Sequence, residues 1–178
     1  MLGRDFAAAP ATRNPVEAAR FRSLMATFPT GVAIATTFDT RGRPRGMTCS
    51  SVCSASLHPP TLLLCLRHGS PTLDAMLVHS TFAANLLHHR ARAVAELFAS
   101  GIADRFDRIH WEGDGTGSGP HLTAYAHAIA DCQISRIADV GDHTVVFGEV
   151  FRVAQPLPEE PNPLLYGLRG YSSWLPGE

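Results

Sequence analysis

Apolar residues follow a helical spacing near the start of the chain and a strand spacing from Val32 onward. Phe21, Leu24, Met25 and Phe28 recur at i, i+3, i+4 and i+7, so they lie on one side of a helix. An apolar stripe of this kind is stable in water only when another surface covers it. We therefore predict an amphipathic helix whose stripe is buried.

Residues that favour helix ends flank this stripe. Asn14 is suited to the N-cap, Pro15 to the first helical position, and Glu17 follows Asn14 by three residues, as in a capping box. Pro29 and Gly31 come after the stripe, and both residue types end helices. The helix is therefore predicted to begin after Asn14 and to end before Pro29.

Downstream of this helix, apolar runs of strand length alternate with residues that favour turns. The run VAIATTF is followed by Gly42, which predicts a hairpin, and by a return strand that begins near Pro44. Pro59-Pro60 cannot donate ladder hydrogen bonds, so they mark a sheet edge or a corner. Further strands are predicted over 61–66, 82–87, 125–138 and 143–154, the last two meeting at Gly141-Asp142, and the tail that follows is Pro-rich.

Two more short helices are predicted between these strands. Ser70 and Pro71 suit the N-cap and the first position of one helix, and the amphipathic run 91–99, ended by Gly101, forms the other. Three short helices cannot cover both faces of a parallel sheet, and the strands are joined by short turns. The pattern predicts a mainly β protein: an antiparallel barrel with a few flanking α-helices.

Composition indicates one folded domain and excludes several kinds of partner. The 178 residues are 45% hydrophobic and 17% charged, and Lys+Arg 15 against Asp+Glu 16 leaves no basic surplus for nucleic acid. The N-terminus lacks the apolar core of a secretion signal, and no apolar stretch of about 18 residues predicts a membrane span. We predict a flexible arm over 1–13, a single domain over 14–178, no contact with membranes and a cytoplasmic location.

The cysteines and histidines do not have the spacing of a metal site. Cys49, Cys53, Cys65 and Cys132 form no CxxC pair, and on a strand Cys49 and Cys53 would lie about 13 Å apart, too far for a disulfide. None of the nine histidines forms an i, i+4 pair with an attendant carboxylate. We predict no metal and interpret the cysteines as small apolar residues.

Small hydroxyl residues are concentrated in the segment GMTCSSVCSASLHPP, over 46–60, which leads directly into the apolar run TLLLCL. Hydroxyls and amides at a strand edge can bind a phosphate or a polar ring without a formal positive charge. An ordinary Ser/Thr-rich strand is the alternative interpretation. The glycine-rich run GDGTGSGP, over 113–120, opens no predicted helix, so we interpret it as a surface loop and not as a dinucleotide-binding loop.

Six motifs, taken in order, resemble one known family. In this order and at these spacings the chain resembles the flavin reductases with the FMN-binding split-barrel fold, over roughly residues 18–174. The resemblance implies a Greek-key split β-barrel. The motifs are FPTGVAIATT over 28–37, the hydroxyl-rich segment, FAANLL over 82–87, DRF over 104–106, GDHTVVFGEV over 141–150 and PLLYGLRGY over 163–171.

This resemblance implies an NAD(P)H:flavin oxidoreductase of the EC 1.5.1 type. Such an enzyme transfers a hydride from NADH, with NADPH less favoured, to FAD or FMN and supplies diffusible reduced flavin to a separate flavin-dependent monooxygenase. No nucleophile elbow, paired carboxylates or Walker loop is needed, because the flavin and nicotinamide rings carry the reaction. The resemblance also implies a homodimer. The alternatives are a split-barrel flavoprotein that keeps FMN tightly bound, like pyridoxamine-phosphate oxidase, and a non-enzymatic flavin- or haem-binding module.

The resemblance further implies which residues contact the flavin. The strand pair around GMTCSS would line the ring and the ribityl chain, and the start of the helix after Ser70 would face the phosphate. The implied flavin residues are Pro44, Arg45, Gly46, Met47, Thr48, Ser50, Ser51, Cys65, Leu66, Arg67, Ser70, Thr72, Asn85, Leu97, Phe98, Arg105 and Phe106.

The nicotinamide coenzyme would lie against a second set of residues. No side chain is expected to perform acid, base or nucleophilic chemistry, and His143 of the GDH motif is the one catalytic candidate. Val52 stands where the family often has Phe, and FAANLL departs from the commoner FxVNVL, which leaves the choice of flavin and partner open. The implied coenzyme residues are His143, Asn162, Pro163, Leu164, Leu165, Tyr166 and Tyr171.

Overall fold

A computed structural model describes residues 14–113, 115, 117–154 and 162–174. The predicted arm over 1–13 lies outside these residues. In the described part, the helices are α1 (Ala18–Ala26), α2 (Pro71–His79) and α3 (Arg92–Ala99), and the strands are β1 (Thr30–Gly31), β2 (Ala33–Phe38), β3 (Pro44–Cys49), β4 (Cys53–Leu57), β5 (Pro60–Arg67), β6 (Thr81–Leu87), β7 (Ala126–Val140), β8 (His143–Val153), β9 (Leu164–Gly167) and β10 (Gly170–Ser173).

Seven of these strands form one antiparallel sheet in the order β3-β2-β6-β7-β8-β5-β4. The predicted hairpin turns are present: Gly42 has φ +71° between β2 and β3, and Gly141 has φ +59° between β7 and β8. Both conformations favour glycine, because a Cβ is disfavoured at positive φ. The predicted fold class, a mainly β protein with an antiparallel sheet and a few flanking helices, is confirmed.

The sheet leaves β3 and β4 as its two edge strands. After β3 the chain crosses to the far edge of the sheet, where it forms β4 beside β5. Beyond Leu63, β5 has no ladder partner in β4. The hydroxyl of Ser51 takes that place: it accepts from the Cys65 amide at 3.0 Å and donates to the Cys65 carbonyl at 3.2 Å. One side chain therefore meets both backbone groups that a neighbouring strand would otherwise bond. Ser51 joins the two sides of the split.

Most of the core lies in two large clusters, and a third, small one contains Ala83, Ala126 and Ile129. One of the two large clusters is built on Leu64, Leu66, Met76 and Phe82, and α2 supplies part of it. The other contains Phe98 of α3 and is the larger aromatic cluster. The amphipathic pattern of α3 in the sequence is thus satisfied by packing on the sheet.

Asn85 is fully buried between these clusters and is saturated with hydrogen bonds. Its amide nitrogen donates to the Ile34 carbonyl and to the Thr36 hydroxyl, each at 3.1 Å. Its amide oxygen accepts from the Leu122 amide at 2.8 Å. The Thr36 hydroxyl in turn donates to the Pro120 carbonyl at 2.6 Å. Asn85 therefore fastens the end of the glycine-rich loop to β2 and β6.

The start of the first helix differs from the prediction. It begins after Glu17, which is extended (φ −58°, ψ 140°), so the expected capping box at Asn14 does not form. The four apolar residues of the stripe, called here the α1 stripe, are exposed in the single chain, so their predicted burial would require a second molecule. Their exposed fractions are Phe21 52%, Leu24 64%, Met25 44% and Phe28 65%.

The Pro-rich tail contains two strands that the sequence did not predict. β9 pairs with β1 and with β10, forming a small three-stranded sheet. The turn between β9 and β10 contacts α1, because the Leu168 amide donates to the Ala26 carbonyl at 2.6 Å. Four-residue strands bounded by glycine carry too short an alternation to be recognised in a sequence. The described residues include no helix that is long and apolar enough to cross a membrane.

Candidate functional site

A groove of about 680 Å³ opens beside the hydroxyl-rich segment. It lies between α1, the chain that follows β3, and the β9–β10 turn. A smaller lobe of about 220 Å³ continues it towards β3 and the end of α3, and the two lobes share Ser50 and Tyr166. The main lobe is lined by Arg22, Met25, Ala26, Phe28, Thr30, Ser50, Ser51, Tyr166, Gly167 and Arg169. The smaller lobe is lined by Val32, Thr48, Ser50, Ala99, Tyr166 and Tyr171.

The hydroxyls of Thr48, Ser50 and Ser51, on the β3 side of the groove, differ in how far they are still free to hydrogen-bond a ligand. Ser50 is exposed, and its hydroxyl has no hydrogen bond to another described residue. Thr48 donates its hydroxyl proton to the Ala95 carbonyl at 2.6 Å, which leaves its oxygen lone pairs free to accept. Ser51 is occupied by Cys65 at both positions. Thr48 and Ser50 are therefore available to a polar ligand, while Ser51 acts mainly through position.

An aromatic pair forms the opposite side of the groove. Tyr166 and Tyr171 face each other across β9 and β10, and their ring centroids lie 5.1 Å apart. The Arg92 guanidinium stands 5.7 Å from the centre of the Tyr171 ring and is itself held by Glu96 at 2.8 Å. Burial raises the pKa of the Tyr171 phenol, so the group stays protonated near neutral pH. Flat, rigid rings of this kind suit contact with a planar heteroaromatic ligand.

The main lobe carries positive charge. Arg22 and Arg169 both line it, and no aspartate or glutamate is among its described lining residues. Neither guanidinium forms an ion pair or hydrogen bond with another described residue. Two unpaired guanidinium groups beside free hydroxyls favour an anionic, phosphate-bearing ligand.

A run of implied flavin residues continues from this groove towards α2. The Cys65 backbone is held by Ser51, and Arg67 follows about 7 Å further along β5. Ser70 lies beside Met47, with its hydroxyl 3.4 Å from the Met47 sulfur, and forms the N-cap of α2. Arg67 is exposed and Ser70 is half-buried. The residues present thus fit an extended ligand with its ring near Ser50 and a phosphate near Arg67.

Several implied flavin residues are core residues and do not reach this groove. The side-chain amide of Asn85 is hydrogen-bonded within the protein, as described above. This corrects the implied role of Asn85, because its side chain has no exposed group to offer a flavin. Arg45 binds Asp39 through Nε at 3.2 Å and Nη2 at 2.8 Å. Arg105 packs on the Phe98 ring at 5.8 Å and bonds the Ile102 carbonyl. The other members of the set that are buried in the core are Leu66, Thr72, Phe98 and Phe106, Leu97 packs against that core, and Pro44 pairs with Phe38 at the start of β3.

A strand glycine beside hydroxyl-rich residues, such as Gly46, can mark a point where a ligand approaches the backbone, but the structure supplies a different reason for this glycine. A Cβ built there would lie 3.0 Å from Phe106 Cζ and 3.1 Å from Phe98 Cε1. The same Cβ would lie 3.1 Å from the Ala35 carbonyl oxygen. Two core rings, which cross edge to face with centroids 4.9 Å apart, therefore occupy the space of the missing side chain.

The implied coenzyme residues divide among three places. Tyr166 and Tyr171 lie in the groove, Leu165 pairs with Gly31, and Leu164 is buried in the core. Pro163 bridges to His88 at the other end of β9. Beside it, the Asn162 side-chain oxygen is buried without a hydrogen-bond partner among the described residues.

His143 occupies the third place, away from the groove. It lies opposite Arg67 in the β5–β8 register, and its Nδ1 is 2.8 Å from Asp142 Oδ1. A carboxylate only accepts, so Nδ1–H donates and Nε2 remains free. The hydrogen bond from His143 lowers the pKa of Asp142. Arg67 and His143 therefore form a second polar position, which the groove residues of the single chain do not include.

Sequence reasoning missed both groove arginines. Arg22 sits on the polar side of the predicted α1 pattern, and Arg169 lies in the tail that was not assigned strands. A pair of unpaired cations on separate elements leaves no pattern in sequence, because their proximity depends on how the β9–β10 turn meets α1. The cysteine interpretation holds for Cys49 and Cys132, where burial raises the pKa of each thiol to about 12. Cys53 is exposed, so it is no apolar core residue.

Comparisons with known proteins agree on one family. The family model described as "Flavin reductase like domain" matches residues 25–175. The chain is 46% identical to "Flavin reductase (NADPH)" of Lentzea aerocolonigenes, over 90% of this chain and 92% of the relative. Among solved structures it resembles the Streptomyces globisporus NADH:FAD oxidoreductase SgcE6 with NAD and FAD fragments (TM-score 0.81, 28% identity, 92% of this chain and 98% of that one). It also resembles nitrilotriacetate monooxygenase component B from Mycobacterium thermoresistibile (TM-score 0.82, 33% identity, 89% and 87%).

We predict that Gly46→Val destabilises the fold, because the valine side chain would overlap the Phe98 and Phe106 rings. Overpacking of this kind costs about 1–3 kcal/mol, which lowers the Tm by roughly 2–12 °C in a chain of this size. Thermal unfolding followed by circular dichroism measures it. Gly31→Ala is the matched control, since a Cβ at Gly31 has no neighbour within 4 Å. A Gly46→Val protein with the parental Tm would contradict the packing explanation.

Proposed function

Because the chain belongs to the flavin reductase-like family, we propose that it is an NAD(P)H:flavin oxidoreductase of the EC 1.5.1 type. It transfers a hydride from NADH or NADPH to FAD or FMN and supplies the reduced flavin to a separate monooxygenase. The observation that carries the proposal is the groove itself. It joins the hydroxyls after β3, an aromatic pair and two arginines without requiring a nucleophile or a general base.

The flavin would lie against the hydroxyl side of the groove. Thr48 and Ser50 have free acceptor or donor capacity towards the ring and the ribityl chain. Arg67 and Ser70, next along β5 and at the start of α2, would bind the phosphate, where the helix dipole adds to the attraction. The hydrogen bond between Ser51 and the Cys65 amide fixes the position of the chain around Ser50 relative to β5. When bound, the flavin ring supplies the hydride acceptor.

The coenzyme would lie over the flavin, against the β9–β10 side. Tyr166 and Tyr171 offer ring faces, and the groove is open enough for a folded dinucleotide to enter beside them. The residues of the chain act by holding the two rings in one geometry. Orientation of reacting groups can supply roughly 7–11 kcal/mol of barrier reduction at the extreme.

The use of flavin as a diffusible substrate is supported by relatives. The solved neighbour from Mycobacterium thermoresistibile is named as a component of a monooxygenase, and the chain matches 87% of that protein. A groove lined largely by exposed side chains also favours exchange over permanent binding. A partner monooxygenase is therefore part of the proposal, and the cytoplasmic location remains a prediction.

The purified protein is expected to be colourless and to oxidise NADH or NADPH only when FAD or FMN is added. Absorbance at 340 nm follows the coenzyme, and gel filtration with each flavin measures retention. A yellow protein that keeps its flavin through gel filtration would support the tightly bound FMN alternative instead. A protein that oxidises neither coenzyme with either flavin would contradict the proposed function.

We expect His143→Ala to raise the KM for NADH by about 2- to 13-fold, the range for one net hydrogen bond of 0.5–1.5 kcal/mol. The reason is that Nε2 of His143 is free to bind the coenzyme while Nδ1 is held by Asp142. Because His143 pairs with Arg67, a rise in the KM for flavin alone, measured at saturating NADH, would assign it to the flavin phosphate instead. Steady-state kinetics with saturating flavin measure it, and His68→Ala, a neighbouring exposed imidazole, is the control. Parental KM and kcat values in His143→Ala would show that His143 is only a turn residue.

A homodimer is also proposed, because the single chain leaves a broad apolar surface uncovered. The α1 stripe is exposed along its whole length, and Phe151 and Val153 of β8 are exposed at 52% and 61%. Burying such surfaces favours association of two copies. Light scattering at micromolar concentration should give twice the 19.1 kDa chain mass. Phe21→Glu with Leu24→Glu should reduce it to one chain, and a monomeric parent protein would refute the dimer.

A further inference from the structure

The turn that carries Arg169 has an unusual backbone. Leu168 and Arg169 occupy the two central positions of the β9–β10 hairpin and have φ of +50° and +61°. Two positive φ values define the type I′ turn, which strongly favours Asn-Gly because a Cβ is strained there. A leucine and an arginine in succession are poor choices for stability. Strain of this kind is concentrated at functional sites.

The same turn is fixed against α1. The Leu168 amide donates to the Ala26 carbonyl at 2.6 Å. Gly167 packs so closely on Pro29 that a Cβ would lie 3.0 Å from the Pro29 Cβ. The direction in which Arg169 leaves the backbone is thereby set relative to the helix that carries Arg22. Both side chains line the main lobe of the groove.

We infer that Arg22 and Arg169 together bind the 2′-phosphate of NADPH and select it over NADH. This inference rests on the proposed function. A 2′-phosphate is a monoester that carries close to two negative charges, so two unpaired guanidinium groups match it in charge and in hydrogen-bond geometry. NADH presents a neutral ribose hydroxyl at that position and would leave both cations unpaired. The main lobe, at about 680 Å³, has room for the adenosine end of the coenzyme beside Tyr166.

Binding of coenzyme fragments tests this without catalysis. Isothermal titration calorimetry should show that the parent protein binds 2′,5′-ADP at least about 10-fold more tightly than 5′-AMP, as one charged hydrogen bond predicts. Arg22→Gln and Arg169→Gly should each remove that difference. Arg20→Gln, an exposed α1 arginine that does not line the groove, is the control and should keep it.

Arg169→Gly separates a structural from a recognition role. Glycine adopts the positive φ of the turn without strain, so the Tm should not fall, while kcat/KM for NADPH should fall about 10-fold relative to that for NADH. If Arg169→Gly unfolds, Arg22→Gln still decides the question.

Three results would overturn the inference: equal binding of 2′,5′-ADP and 5′-AMP by the parent protein, no change in their difference on substitution, or an equal loss for NADPH and NADH. The last result would mean that the arginines bind a phosphate common to both coenzymes or to the flavin, and titration with 5′-ADP and FMN would identify which. A parent protein that oxidises neither coenzyme would refute the proposed function, whereas the fragment titrations would still decide the role of the arginines.

Discussion

The hydrogen bonds between the Ser51 hydroxyl and the Cys65 backbone determine where this protein can bind anything. A fully closed sheet would pair the edge of β3 with the part of β5 beyond Leu63 that β4 leaves uncovered, and no edge would remain. Here the chain crosses between them, and one serine replaces the missing strand by satisfying the Cys65 amide and carbonyl. Because the split is closed by a side chain and not by a ladder, Thr48 and Ser50 remain at the surface. The groove therefore lies where the barrel is incomplete.

The opposite side of the barrel has to be rigid for this arrangement to hold. Asn85 links β2, β6 and the glycine-rich loop with a complete set of buried hydrogen bonds, and β2 is the strand against which β3 pairs. An unpaired polar group at such depth would cost about 1–3 kcal/mol, so the network is either complete or strongly destabilising. The core thus fixes β3 from behind while Ser51 fixes the following segment from the side. The two contacts together fix the position of the Thr48 and Ser50 hydroxyls relative to the barrel.

Patterns that depend on neighbours in sequence were predictable, and contacts between distant segments were not. The hairpins at Gly42 and Gly141 and the start of α2 at Ser70 follow from local turn and cap preferences. The spacing of the α1 stripe predicted its helix correctly. Spacing indicates that an apolar surface should be buried, but it does not identify the molecule that buries it. Gly46 shows the same limit, since a sequence cannot distinguish a glycine beside a ligand from one beside Phe98 and Phe106. The groove arginines depend on a turn that docks on α1.

The Leu168-Arg169 turn shows how stability and site geometry oppose each other in this fold. At the hairpin turns on the main sheet the chain follows local preference: glycine occupies the positive-φ positions at Gly42 and Gly141, and Ser80 at the end of α2 is a single non-glycine exception. At the groove it departs from that preference at two successive residues, and tertiary contacts to Ala26 and Pro29 hold the strained turn in place. The departure is therefore best explained by the side chain that the turn presents to the groove, and the cost of the strain is borne by the packing of the small sheet on α1.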